Sequence, residues 1–231
     1  LLELPAIWLR PHETVAGWVV QVTGWDLVEA ALARRRGIIF LTPHLGCFEI
    51  AAQYYAYRAP ANAQLTVLYR PPKKKALAPL MRAGRARPNL RVASADLRGV
   101  RPLLRALRQG EAIGILPDQA PGVGEGEWAE FFGRPAYTMT LAGRLAEASG
   151  AQVILVYAER LPQGRGYHLQ LSAMPPPLAG ESPARTLNRA LEGLIRSCPA
   201  QYGWGYNRYK VPAGASAPGE EGNRRGKKEH A

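Results

Sequence analysis

The sequence predicts an α/β fold, a mixed, mostly parallel sheet flanked by helices. Three observations predict it. Short apolar runs rich in β-branched residues alternate with segments of helical periodicity through most of the chain. The spacing between runs leaves room for crossover helices, which parallel neighbours require. One pair of runs, "QVILVYA" and "YHLQLSAM", is joined through "RLPQGRG" and reads as a hairpin whose second strand is antiparallel to the first.

In order, "VVQVTG" (19–24) reads as a strand, and "WDLVEAALARRRG" (25–37) as a helix ended by Gly37 with bases in its last turn. A strand at 38–42 is followed by a helix from about Leu45 to Tyr57, the strand "LTVLYR" (65–70) and a basic helix around 73–87. Then come the strand "LRVAS", the helix "GVRPLLRALRQG", the strand "AIGILP" (112–117), a Gly-rich loop, a helix over 138–149 and the hairpin. "SPARTLNRALEGLIRSC" closes the fold as an amphipathic helix with Ser182 as its N-cap. Residues 1–211 are expected to form one domain. From Pro212 to Ala231 apolar content almost vanishes, and this tail is expected to be disordered.

The formal charge of +12 is local. Between Arg70 and Arg108 there are twelve Lys or Arg against the single acid Asp96, whereas residues 212–231 contribute four bases and three acids. A field of that density attracts a polyanion: nucleic acid, anionic lipid, a phosphorylated substrate or an acidic carrier protein. Cys47 and Cys198 are far apart and sit beside apolar residues, so they suit a reducing compartment better than a disulfide framework. His12, His168 and His230 are isolated, no set of ligands has metal spacing, and no metal or cofactor is expected. No apolar run approaches the roughly 18 residues of a membrane span. The chain opens "LLELPAIWL" without Met, so an upstream segment is expected.

The chemistry concentrates in "IIFLTPHLGCFEI" (38–50), where a strand runs into His44 and Glu49 follows in an H-x-x-x-x-E spacing. Residues five apart in one helix point about 140° away from each other, so the two side chains meet only if His44 precedes the first turn. Pro43 and Gly46 suit such an elbow. The pair then reads as a general base oriented by a carboxylate, acting on a substrate hydroxyl because no Ser or well-placed Thr follows. A histidine merely satisfied at a strand end, and Cys47 as a nucleophile, are the competing readings. The amides after His44 are expected to help hold a developing oxyanion. "WVVQV", "FFG" and "MTLAGRLA" read as ordinary core or as the lining of an apolar slot. The loop 118–135 lacks the Gly-Lys-Ser/Thr ending of a phosphate loop.

"LTPHLGCFE", "LYRPP", "GRARPN", "GEAIGILPDQAPG", "FFGRPAYT" and "PAQYGWGYNRYK" occur in an order and spacing that resemble the bacterial lipid A biosynthesis acyltransferases, the lauroyl and myristoyl transferases of the lysophospholipid acyltransferase superfamily. The resemblance covers about residues 1–211. It implies a glycerolipid-acyltransferase-like fold and transfer of a fatty acyl chain from acyl carrier protein to a hydroxyl of a phosphorylated glucosamine-based lipid A precursor. It places that activity at the cytoplasmic face of the inner membrane. It also implies His44 and Glu49 as the catalytic dyad, with Arg70, Arg85, Asp118 and Gln119 as substrate-binding residues. The chain departs from the family at Cys47, where relatives commonly carry Asn. A membrane-anchoring helix usually begins those relatives, and without one the attachment is expected to be peripheral. A mannosylated phosphoinositide is the alternative acceptor. Nucleic-acid binding by the basic stretch is the rival from another class, and it is disfavoured because only Tyr69 stands at its edge to stack on bases.

Overall fold

A computed structural model describes residues 3–69, 84, 87–94 and 97–218. Among them, seven strands form the central sheet: β1 (Val19–Thr23), β2 (Ile38–Leu41), β3 (Leu65–Tyr69), β4 (Leu90–Ser94), β5 (Ala112–Ile115), β8 (Gln152–Arg160) and β9 (Tyr167–Ala173). The strands β6 (Gly126–Phe131) and β7 (Arg134–Met139) pair as a separate antiparallel hairpin. The helices are α1 (Leu4–Leu9), α2 (His12–Ala16), α3 (Asp26–Ala33), α4 (Phe48–Arg58), α5 (Leu97–Arg108), α6 (Leu141–Ser149) and α7 (Pro183–Ser197).

The sheet order is β1-β9-β8-β2-β5-β3-β4, and all neighbours are parallel except β8 and β9. The α/β class and the mostly parallel, mixed sheet expected from the sequence are therefore what the chain adopts. β2 and β5 lie near the middle and are buried at every position, which is why they read as unbroken apolar runs. Their alternating side chains feed two cores. Ile38 and Phe40 pack with residues of α1 to α4, while Ile39, Leu41, Ile113 and Ile115 pack with α5, α6, α7 and the β6–β7 hairpin. Helices thus cover both faces.

Several boundaries differ from the sequence reading for local reasons. α3 stops at Ala33 because Arg35 takes a left-handed conformation, φ 50°, and the Arg36 amide donates to the Ala31 carbonyl at 3.0 Å. That closing turn needs no glycine. α4 begins at Phe48 because the amides of Gly46 and Cys47 donate outside the helix, to Gln201 O and Ala158 O. The stretch read as a Gly-rich loop holds most of the β6–β7 hairpin, whose turn residues Phe132 and Gly133 both have positive φ, 48° and 75°. Two residues of that hand match the twist of paired strands. Ser182 caps α7 as expected, its hydroxyl accepting from the Arg185 amide. The basic helix expected around 73–87 lies almost wholly outside the described residues. Of the polar tail, residues 212–218 are described, and Trp128 Nε1 donates to the Ser216 carbonyl at 2.9 Å.

Because Ile113 is fully buried between β5's neighbours and α5, truncation to Ala should cost about 2–5 kcal/mol. The same truncation at Val20, which is 60% exposed, should change stability by less than about 0.5 kcal/mol. Chemical denaturation of the two variants checks the contrast.

Candidate active site

The parallel register builds the site. Leu41 of β2 is paired with Ile115 of β5 at the ends of both strands. His44 and Asp118 each follow three residues later, so the two side chains leave adjacent strand ends together. This is the carboxyl edge of the sheet, where open α/β folds place their ligands. Asp118 is 2% exposed, and its carboxylate accepts two hydrogen bonds from one residue. Its Oδ2 takes the His44 amide N–H at 2.8 Å, and its Oδ1 meets His44 Nδ1 at 2.8 Å. A carboxylate only accepts, so the Nδ1 nitrogen carries the proton and Nε2 is left with its lone pair. Gln119 Nε2 lies 3.4 Å from that nitrogen. The imidazole side chain keeps 31% of its surface exposed.

The expected pairing of His44 with Glu49 is not the one the fold makes. Among the described residues the carboxylate on His44 is Asp118, and Glu49 is buried with Trp8 Nε1 at 3.5 Å from its Oε2. The reason lies in the elbow. Residues 43–47 turn sharply through Gly46, φ 58°, and helical hydrogen bonding starts only at Phe48, so Glu49 in the first turn faces α1 instead of the ring. The sequence reading put a bend between the two residues, and the chain turns there; the Asp118 contact is one it did not foresee.

Of the amides after His44, the three that precede the helix are engaged. Leu45 N donates to Pro43 O, Gly46 N to Gln201 O and Cys47 N to Ala158 O. The rival nucleophile is also silenced: Cys47 is 2% exposed, and burial, with the nearby Glu3 charge adding to it, pushes its thiol up to about 12. A thiol so protonated is inert. Arg70 and Arg85 lie outside the described residues. Within the basic stretch Arg87 has structural work. It donates to Gln53 Oε1 and to the carbonyls of Ile7 and Arg10, tying β4's approach to α1 and α4.

An apolar slot reaches the elbow from between α4 and the sheet, with a cavity volume of about 70 Å³. Phe48, Thr42 and Glu49 line its end near His44, where the His44 and Phe48 rings meet edge to face, centroids 5.3 Å apart. None of "WVVQV", "FFG" and "MTLAGRLA" lines it.

The sequence reading assigned no role to the segment after α7, yet that segment braces the histidine. Gly203 N donates to His44 O at 2.8 Å, Leu45 bridges Tyr202, and Tyr206 Oη accepts from Ala120 N at 3.0 Å. Arg208 is 3% exposed and donates to Tyr137 O, Thr138 Oγ1 and Asn188 Oδ1. The run of tyrosines around a single arginine in "YGWGYNRYK" was the available signal.

An α/β sheet that sets a buried carboxylate against an imidazole at its carboxyl edge, beside an apolar slot, has the arrangement of an enzyme site. Comparison with known proteins makes the class specific. The chain belongs to the bacterial lipid A biosynthesis acyltransferase family, whose model matches residues 1–211. It is 28% identical over 215 residues to a lipid A biosynthesis lauroyltransferase of Escherichia coli K12, covering 91% of this chain and 68% of that protein. It is likewise 28% identical over 225 residues to the lipid A biosynthesis palmitoleoyltransferase of the same organism, covering 94% and 70%. A lipid A biosynthesis acyltransferase of Shigella flexneri matches at the same identity. The protein is therefore an acyltransferase.

A Cβ added to Gly46 would stand 2.0 Å from the Ala158 carbonyl oxygen, in a backbone conformation that L-residues resist. Gly46→Ala should destabilise the fold by about 2–4 kcal/mol, read by thermal or chemical denaturation.

Proposed function

We propose that the enzyme transfers a fatty acyl chain from acyl carrier protein to a hydroxyl of a phosphorylated, glucosamine-based lipid A precursor at the inner-membrane surface. The observation that carries this reading is an imidazole whose Nδ1 is bonded by Asp118 and whose Nε2 is available beside an apolar slot. The acceptor hydroxyl gives its proton to Nε2 as its oxygen attacks the thioester carbonyl. The carbon–sulfur bond then breaks, and the imidazolium returns the proton to the departing thiolate. Asp118 stabilises the imidazolium and keeps the ring in the productive tautomer. Gln119, next to Nε2, is placed to orient the attacking hydroxyl or the carbonyl. Glu49 belongs to the slot wall rather than to the ring. Arg70 and Arg85 are assigned to the anionic partners, the acceptor's phosphates or the carrier's acidic surface, where bidentate guanidinium contacts suit best.

No helix among the described residues is long and apolar enough to cross a membrane. Attachment through the bases of the 70–108 stretch, each worth about 1 kcal/mol beside anionic head groups, accounts for work at a bilayer surface. Two relatives of equal identity are named for different acyl groups, lauroyl and palmitoleoyl, so overall identity does not choose the chain.

Transfer from an acyl carrier protein thioester to a lipid A precursor should vanish in His44→Ala, and undiminished transfer there would overturn the reading. Asp118→Asn should lower kcat by about 10³- to 10⁴-fold with little change in KM, because the wrong tautomer then dominates. Glu49→Gln should cost far less, and the reverse ranking would restore Glu49 as the orienting acid. Association with anionic liposomes, measured by sedimentation, should weaken as salt is raised.

A further inference from the structure

We infer that the exposed arginine stripe of α5, with the groove between α5 and the edge strand β4, is the docking surface for the acidic carrier protein that brings the acyl chain. This rests on the carrier-donor reading and gives the donor its own face of the molecule.

α5 carries like charges where a helix gains from opposite ones. Arg101, Arg105 and Arg108 are spaced four and three residues apart, so they fall on one face, and all three are exposed. None of them takes part in an ion pair among the described residues. Neighbouring cations at these spacings weaken a helix, and a merely solvated face normally mixes its signs. The buried side of α5 is ordinary core, with Leu103, Ala106 and Leu107 packed inward, and places no demand for arginine outside. The stripe is a local loss of stability whose use lies outside the fold.

The charge continues past the helix. Across the groove Arg91 of β4 has a side chain 60% exposed. At the far end Gly110 stands against the Arg35 backbone, and Arg34, Arg35 and Arg36 are all exposed. Two acids lie close by without cancelling the field. Glu111 is mostly buried, 3.6 Å from Arg91 Nη1, and Glu147 shares the adjoining α6 with Arg144. The groove holds about 420 Å³ and is lined by Thr66, Arg91, Arg105 and Gln109 among others, a recess for a partner's side chains beside the stripe.

The direction of α5 selects the occupant. β4 and β5 are both parallel neighbours of β3, so α5 runs from the carboxyl edge, where His44 stands, back to the opposite edge. A bilayer presenting a lipid acceptor to His44 meets the carboxyl edge and does not lie along a flank that leads away from it. A soluble acidic protein can occupy that flank while its thioester, on the flexible pantetheine arm of carrier proteins, reaches over the edge. The twelve residues of α5 give the contact a length of about 18 Å. Complementary charge along it sets encounter rate and register. The bases of the stretch before α5 are left for the bilayer.

The test compares two donors with the same acyl chain, an acyl carrier protein thioester and an acyl-pantetheine thioester without the protein. Arg105→Glu reverses the middle of the stripe. Arg58→Glu, exposed at the end of α4 on the other face of the sheet, makes the same change in net charge. In Arg105→Glu the KM for the carrier thioester should rise about tenfold at low salt with kcat little changed, and the pantetheine thioester should be used as before. Its melting temperature should not fall, because two like pairs become opposite ones. A change acting through the fold would instead lower melting and affect both donors alike. Anisotropy of a fluorophore-labelled holo acyl carrier protein should show the same loss, and binding to the unaltered enzyme should weaken as salt is raised. Carrier KM and binding that stay unchanged in both Arg105→Glu and Arg101→Glu, or an equal loss in Arg58→Glu, would overturn the docking surface and leave acyl transfer intact. Lost sedimentation with anionic liposomes in place of lost carrier binding would give the stripe to the bilayer and overturn it too. An unaltered enzyme that transfers no chain from either donor would overturn the transfer reading, and the anisotropy would still decide the surface.

Discussion

The two hydrogen bonds that Asp118 accepts from His44 are the constraint on which the rest of this fold depends. One fixes the backbone at the elbow and the other fixes the ring, so a single carboxylate determines both where the imidazole sits and which nitrogen is free. Such charge-assisted bonds are strong only when both partners arrive already placed. The placement comes from β2 and β5 running parallel and adjacent with no register shift, which carries two loops to the same height above the sheet. Everything beyond the strand ends then holds the elbow down. Cys47 N is bonded to the end of β8, Gly46 N and His44 O to the segment after α7. The elbow's amides are spent on this bracing and have nothing left for a substrate.

The two faces of the sheet are built to different standards. On one, Ile39, Leu41, Ile113 and Ile115 meet α5, α6 and α7 in a core of large aliphatic side chains. On the other, Gly114, Ala51 and Ala52 stand where larger residues would close the gap between α4 and the sheet. Unfilled space in a core is destabilising, and its lining forfeits dispersion contacts. Its position beside His44 accounts for its being kept: sites that must receive a ligand depart from close packing. The well-packed face supplies the stability that the open face gives up.

What was legible in the sequence follows the same division. The sheet and most helices were readable because β2, β5, β8 and α7 carry strong periodic signals. The β6–β7 hairpin was hidden by the glycines around it, since its turn relies on Phe132 in a left-handed conformation that composition does not announce. His44 was found because it ends an apolar run. Its contact with Asp118 was not, because a partner five residues away is visible on one line, whereas Asp118 is brought in by strand register alone. The apolar slot escaped for a deeper reason. It consists of side chains that are absent, and short residues in a strand or helix read as ordinary core until the neighbours are known.

The electrostatics behind Asp118 show why the segment after α7 has to be there. Arg208 is buried among neutral oxygens, and no carboxylate pairs with it among the described residues. Burial pushes its guanidinium below the usual range, and the fields of Tyr202 and Asp118 oppose that. Tyr202 feels the converse: burial raises its hydroxyl, Asp118 raises it further, and Arg208 lowers it. An isolated buried cation or carboxylate is expensive, and two of opposite sign in one poorly screened layer offset each other without touching. Arg208 and the Tyr202 hydroxyl thus stand behind the carboxylate while its two oxygens hold the amide and the ring of His44.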